Sequence, residues 1–197
     1  MNEILRFTLL AIGCVGVFCV AGILQTLWLK SPRFQKFTYP VDFGLRFRGK
    51  RLFGANKTFA GFLVMVPAVT FGFLALGHLL HLLVPDLLRQ SGWPESAGGW
   101  FCLGLAAGSG YMLAELPNSF CKRQLDINPG ESPDRTVPRT IALLVDQIDS
   151  VLGAVLAIAL IAPTHPVFWA VCILLGFACH WLFNLLLYKI GVKSRPA

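Results

Sequence analysis

Charge is what this chain has least of. Only 14% of its 197 residues are Asp, Glu, Lys or Arg, 55% are apolar, and the mean hydropathy is +0.65. A soluble domain carries about 25% charged residues, so this chain has too little polar surface to coat a globule in water. Soluble enzymes, disordered regulators and compact nucleic-acid-binding domains are excluded on that ground. Nucleic acid is therefore not an expected partner, despite a net charge of +7. There is no C-x-x-C pair and no Cys/His spacing of a zinc site. The six cysteines (Cys14, Cys19, Cys102, Cys121, Cys172 and Cys179), five of them in apolar runs, read as small packing residues rather than a disulfide framework. Internal repeats and low-complexity tracts are also missing, which predicts one domain over residues 1–197 with no linker.

What the chain does have is apolar runs of membrane-spanning length, for which a helix needs roughly 20 residues. Five qualify, at 7–29, 59–84, 100–116, 141–161 and 167–188. The expected fold is therefore all-α, a polytopic membrane protein with five transmembrane helices and basic cytoplasmic loops. The first run has no A-x-A cleavage pattern and is longer than a signal-peptide core, so it reads as a retained span. The third is only 17 residues long and ends at Glu115 and Pro117, which predicts an end opening into protein rather than lipid.

Lysine and arginine set the orientation. Fifteen of the 17 fall in the 30–57 loop, the 117–140 loop or the C-terminal tail, leaving Arg6 and Arg89 on the other side. By the positive-inside rule both loops and the C-terminus face the cytoplasm, and the N-terminus lies outside. The expected location is the cytoplasmic (inner) membrane.

Three acidic residues lie within or at the ends of apolar runs: Glu115, Asp146 and Asp149. Ionisable groups are expensive there and are functional candidates by default. Asp146 and Asp149, three apart on a helix, present both carboxylates on one face. Such a pair suits a hard divalent cation such as Mg²⁺, which takes oxygen ligands and leaves positions open for substrate phosphates. The bland alternative is two acids near the interface. In Glu115-Leu-Pro-Asn-Ser119-Phe-Cys-Lys122-Arg123, helix resuming after Pro117 would put Glu115, Ser119 and Lys122 near one face. A carboxylate, hydroxyl, ammonium and guanidinium together suit a magnesium-bound polyphosphate, with Glu115 as a further metal ligand. Lys122 and Arg123 read equally well as a pair snorkelling to headgroups.

The stretch Gly49 to Gly61 contains Gly54-Ala-Asn56-Lys57-Thr58 but is not a phosphate loop, because Ala55 and Asn56 separate the second glycine from the lysine. What survives is a glycine-punctuated basic loop feeding a helix N-terminus, where an anion is favoured. A loop that only enforces topology and attracts anionic lipid fits the same residues.

These residues together resemble the CDP-archaeol synthase family, membrane cytidylyltransferases related to the CDP-diacylglycerol synthases. The resemblance rests on Gly54-Ala-Asn56-Lys57-Thr58 with Gly61, on Asn118-Ser119-Phe-Cys-Lys122-Arg123 followed by Pro129-Gly130, and on Asp146-Gln-Ile-Asp149-Ser150 with Gly153. Glu115 stands where the relatives are expected to have aspartate, Ala60 where a basic residue is frequent, and the 130–146 stretch is long, as in bacterial-type variants.

The resemblance implies a lipid phosphate attacking the α-phosphorus of CTP, with pyrophosphate leaving and a CDP-activated lipid formed in phospholipid biosynthesis. It implies Mg²⁺ on Asp146 and Asp149, phosphate contacts from Ser119, Lys122 and Arg123, and a nucleotide pocket that includes Asn56, Lys57 and Thr58. The lipid phosphate is an archaeal-type ether lipid or phosphatidic acid, the other partners are membrane lipids, and a homodimer is compatible with all of this. The competing class is a small transporter or ion-coupled channel using intramembrane acids.

Overall fold

The computed structural model describes residues 1–29, 31, 38–128 and 139–189. Pro129, Gly130, Lys193 and Arg195 lie outside them. The helices are α1 (Glu3–Leu29), α2 (Phe59–Leu83), the short α3 (Pro85–Ser91), α4 (Ala97–Gln124), α5 (Arg139–Ala159) and α6 (Pro166–Lys189). Each long helix packs on the next in chain order, and α6 returns to α1, so the five long helices form a ring.

By length and composition, α1, α2 and α6 are apolar enough to cross a membrane. The other two long helices, α4 and α5, are interrupted by the polar residues that converge below. Apolar side chains cover the outside of the ring, with Leu63, Phe71 and Leu174 among the most exposed. An outward apolar surface is what a helix bundle in lipid requires.

The structure adds two details to the sequence expectations. The all-α expectation misses a small antiparallel hairpin, β1 (Arg46–Phe47) and β2 (Lys50–Arg51), paired Arg46 to Arg51 and Phe47 to Lys50. Arg48 and Gly49 both have positive φ, 52° and 78°, as a two-residue turn matching the right-handed strand twist demands. The second concerns the helix that carries the third run, which extends beyond the run's end at Leu116. Helix α4 continues through Pro117 to Gln124, so Asn118 to Arg123 are helical, as the shared face of Glu115, Ser119 and Lys122 requires, and the 117–140 loop starts later than expected. Proline forfeits one backbone bond and crowds the preceding turn. Pro117 points its ring outward, and the residues just after it are held by α5, which keeps the helix continuous.

The tight core lies at one end of the ring, where Leu10, Val69, Phe73, Leu103, Ile158 and Phe168 are fully buried. Trp93 and Trp100 pack together with ring centroids 5.7 Å apart, and Trp100 fills the space that a side chain at Gly77 would occupy. Toward the other end, α4 and α5 approach closely because Gly110 and Gly153 face each other. A Cβ on either glycine would strike the other's carbonyl. Small residues allow this kind of backbone approach between membrane helices. It brings side chains as short as Asn and Asp into direct contact one to two turns further along.

Candidate active site

The loop before α2 is organised around a single carboxylate. Asp42 is 2% exposed and accepts hydrogen bonds from the backbone N–H of Gly44 (2.9 Å), Phe53 (3.2 Å) and Gly54 (3.1 Å) and from the Arg51 guanidinium. Burial pushes its pKa up, but Arg51 and the three N–H groups outweigh that and hold it down at about 2. The carboxylate thereby fixes the turn through Gly54, whose φ of 99° favours glycine. Lys50 ties the hairpin to the end of α4, its ammonium donating to the Gln124 carbonyl (2.7 Å) and the Asp126 carboxylate (2.6 Å). Phe47 lies against Phe120. With the loop so anchored, Lys57 reaches inward and pairs with Glu115 of α4.

Glu115 is the hub between that loop and α5. One of its oxygens takes the Lys57 ammonium and the other takes the Ser150 hydroxyl at 2.9 Å. Ser150 also lies against Asp149, whose Oδ1 accepts the Ser150 backbone N–H at 2.7 Å. A turn along α4, the Asn118 amide donates to Asp146 and to Asp149, 2.7 Å to each. Lys122 Nζ then bonds both oxygens of Asp146. Three carboxylates thus face two ammoniums and one amide, mostly in partly buried surroundings. Removing charge from water in this way is tolerated only with such partners.

Of the residues singled out in the sequence, Lys57, Glu115, Lys122, Asp146 and Asp149 are brought into this one network. Arg123 follows Lys122 on α4 and is half-buried. Thr58 starts α2, its hydroxyl accepting the Gly61 N–H at 3.4 Å, while Asn56 is exposed in the turn before it. Ser119 is buried one turn after Glu115. Asn118 and Ser119 leave α4 about 100° apart, so Asn118 meets α5 and Ser119 flanks the opposite side of the Glu115–Lys122 face.

Asn118, Ser150 and Asp42 are site residues to which the sequence reading gave no role. Asn118 carried a signal, since it stands three after Glu115 and four before Lys122 in the same polar stripe. Asp42 carried none, because most of its partners are backbone N–H groups of a loop.

Among the described residues no group of three or more His, Cys, Asp and Glu is placed to hold a metal ion. The Asp146–Asp149 pair nevertheless suits a hard divalent cation in its donor chemistry. Both groups are carboxylates, both point one oxygen at a single point now satisfied by the Asn118 amide, and Asp146 already holds a cationic group.

Comparison with known proteins places the chain in a family. The family model described as CarS-like, CDP-archaeol synthase, matches residues 34–196. The chain is 36% identical over 161 residues to the CDP-archaeol synthase of Thermofilum pendens, covering 80% of this chain and 66% of that protein. It is 34% identical to the one from Methanopyrus kandleri (80% and 79% covered) and 30% identical to the one from Archaeoglobus fulgidus (88% and 97%). Among solved structures it resembles one described as an intramembrane enzyme for archaeal membrane lipids biosynthesis, with a TM-score of 0.53 and 26% identity over 89% of this chain and 92% of that one. The matched span runs from the loop before α2 to residue 196 and so contains every residue of the carboxylate–ammonium network; this chain belongs to the CDP-archaeol synthase family.

Proposed function

We propose that this protein transfers the CMP unit of CTP to a lipid phosphate. A phosphate oxygen of the lipid attacks the α-phosphorus of CTP, a new P–O bond forms, and the bond to the bridging oxygen breaks with its electron pair leaving on pyrophosphate. The nucleophile needs no general base, because a phosphomonoester with a second pKa near 6 is already largely dianionic at neutral pH. What the reaction needs is alignment of two polyanions and neutralisation of their charge.

The observation that carries this reading is the network itself, in which Lys57 and Lys122 are held at one place by Glu115 and Asp146. Those ammoniums can exchange a carboxylate for a phosphate without leaving the site. Lys57, Lys122 and Arg123 hold phosphates in this reading, and Asn56, Thr58 and Ser119 line the nucleotide side. Asp146 and Asp149 would hold Mg²⁺, with Glu115 beside them, and the ion when bound supplies charge neutralisation at the phosphates. Asn118 keeps the two aspartates at a fixed separation. Five spans with the N-terminus outside put this end of the ring at the cytoplasmic face, where CTP is found. The names of the relatives favour an ether-linked archaeal-type lipid.

The test is incubation of purified protein with α-labelled CTP and either an ether-linked or an ester-linked lipid phosphate. Label should pass into an organic-soluble product with an equal amount of pyrophosphate released, faster for the ether lipid. No transfer to either lipid defeats the reading, and a preference for the ester lipid changes the substrate.

A further inference from the structure

A cavity of about 320 Å³ lies inside the ring, lined by α1, α4, α5 and α6. Its site end is polar, where Gln25, Thr26 and Asn184 join Glu115, the same glutamate that holds Lys57 and Ser150. From there it runs along α1 as far as Cys14, twelve residues and about 18 Å at 1.5 Å per residue. Over that length its walls are mostly apolar, with Phe18, Val151, Val155, Ile158 and Cys172 among them. The polar groups on the way, Tyr111 and His180, bond to each other, and Phe18 stacks on Tyr111.

Resting on the cytidylyl-transfer reading, we propose that this cavity receives one hydrocarbon chain of the lipid phosphate and thereby sets its phosphate beside Glu115. The occupant follows from the walls. A nucleotide or pyrophosphate could not shed its water into them, whereas a hydrocarbon chain gains from leaving water and from contact with them. The volume is at the lower end of the range for small-molecule sites, which fits one chain and leaves the second chain to lie outside the ring. Continuity at Glu115 makes the cavity's polar end and the site one place, so chain insertion and phosphate placement are a single binding event.

One residue makes the proposal testable. Gly22 lines the cavity, and a Cβ built on it meets no atom within 4 Å, so a side chain introduced there starts in open space at the cavity wall. Gly16 has equal room but does not line the cavity and is exposed on α1. The experiment compares wild type, Gly22→Phe, Gly22→Leu and Gly16→Phe with glycerol phosphate ethers carrying either two hexadecyl or two hexyl chains. CTP binding by each variant reports its folding.

For Gly22→Phe the KM for the hexadecyl compound should rise at least about tenfold, with the KM for CTP and for the hexyl compound unchanged; pocket discrimination of this size is typical of a few methylenes. Gly22→Leu should show the same change to a smaller extent, and Gly16→Phe none. Equilibrium binding of radiolabelled hexadecyl compound should weaken in parallel, and this readout does not depend on turnover. If wild type binds the compound and Gly22→Phe does not, yet neither turns it over, the transfer reading fails and the cavity assignment stands. An unchanged KM and Kd in folded Gly22→Phe and Gly22→Leu overturns the assignment, as does an equal loss for the hexyl and hexadecyl compounds.

Discussion

Lys122 of α4 donates from one ammonium to both carboxylate oxygens of Asp146 on α5. The sequence reading gave these two residues separate tasks, one on a phosphate and one on a metal. In the structure each is the other's partner, and the same Asp146 also takes the Asn118 amide. On the proposed reading the two tasks would be coupled: a cation held by Asp146 would compete with Lys122, and a phosphate held by Lys122 would release Asp146.

That competition predicts a split outcome for Lys122→Ala. Turnover efficiency should fall at least about tenfold, or about 1.4 kcal/mol in the transition state, and added Mg²⁺ should not restore it. Binding of Mn²⁺ in the absence of CTP, followed by electron paramagnetic resonance, should become tighter than in wild type, since the competing ammonium is gone. If Lys122 only anchors α4 to headgroups, activity in detergent stays near normal and Mn²⁺ binding does not change.

Asp146→Asn and Asp149→Asn should each lower turnover by at least about a hundredfold, near 2.7 kcal/mol, in a protein that still folds. An amide replaces a charged oxygen donor in both cases, weakening any hard cation. Asp146→Asn should be the less stable of the two, because it leaves the Lys122 ammonium without its carboxylate, whereas an amide oxygen at position 149 can still accept the Ser150 N–H. Near-normal rates in both variants at limiting Mg²⁺ would make these acids structural.

The long helices were legible because a helix in lipid needs one simple thing, a long apolar run, and the ends of α1, α2, α5 and α6 fall within a few residues of those runs, with α1, α2 and α6 apolar enough to cross a membrane. The end of α4 was legible only in part: the spacing of Glu115, Ser119 and Lys122 pointed to helix after Pro117, but the loop boundary was drawn at Pro117 itself. Pro117 is a strong local stop signal, and only the contacts of Asn118 and Lys122 with α5, set by Gly110 and Gly153 a few turns away, override it. The aspartate pair could be read from its spacing. Its partnership with Lys122 and Asn118 could not, since that depends on how α4 and α5 approach. The hairpin escaped because its strands are two residues each and its turn is Arg-Gly rather than Asn-Gly.

The close approach of α4 and α5 yields its own prediction. A side chain at Gly153 would meet the Gly110 carbonyl and the Ala114 methyl, neither of which is a flexible end that can move aside. Gly153→Val should separate the helices, lower the thermal midpoint and reduce activity sharply, although no atom of Gly153 belongs to the network. Gly98→Ala on α4, where an added Cβ meets nothing within 4 Å, should leave both unchanged.

Asp42 makes the loop pH-dependent in one direction. Its folded pKa of about 2 lies below the ordinary 3.8, so its stabilisation is fully present above about 3.8 and is lost as pH falls through about 2. The thermal midpoint of wild type should fall across that window by more than that of Asp42→Asn. At neutral pH the Asp42→Asn protein should have a raised KM for CTP, because the turn that places Lys57 is loosened, with kcat affected less. Identical acid profiles for the two proteins would remove Asp42 as the organiser of the loop.

Topology supplies the last prediction. Fifteen of 17 basic residues fall on one side of the proposed five spans, and the structure puts the hairpin and the carboxylate–ammonium network at the same end of the ring, with α3 and the buried tryptophans at the other. A probe at Arg46 should therefore be protected from an impermeant thiol reagent in intact cells, and one at Glu95 should react. These positions are chosen because both side chains are exposed, whereas Gly92 has a φ of 69° and would be strained by any side chain. The Arg46→Cys and Glu95→Cys proteins would be made with the native cysteines replaced, since Cys102 and Cys121 are themselves exposed. Labelling at Arg46→Cys with protection at Glu95→Cys would invert the protein and place its carboxylates on the side of the membrane without CTP, so the transfer reading would fail together with the topology. Labelling at both positions would mean an even number of crossings between them, and α2, the one long helix in that interval, would then have to be withdrawn as a span.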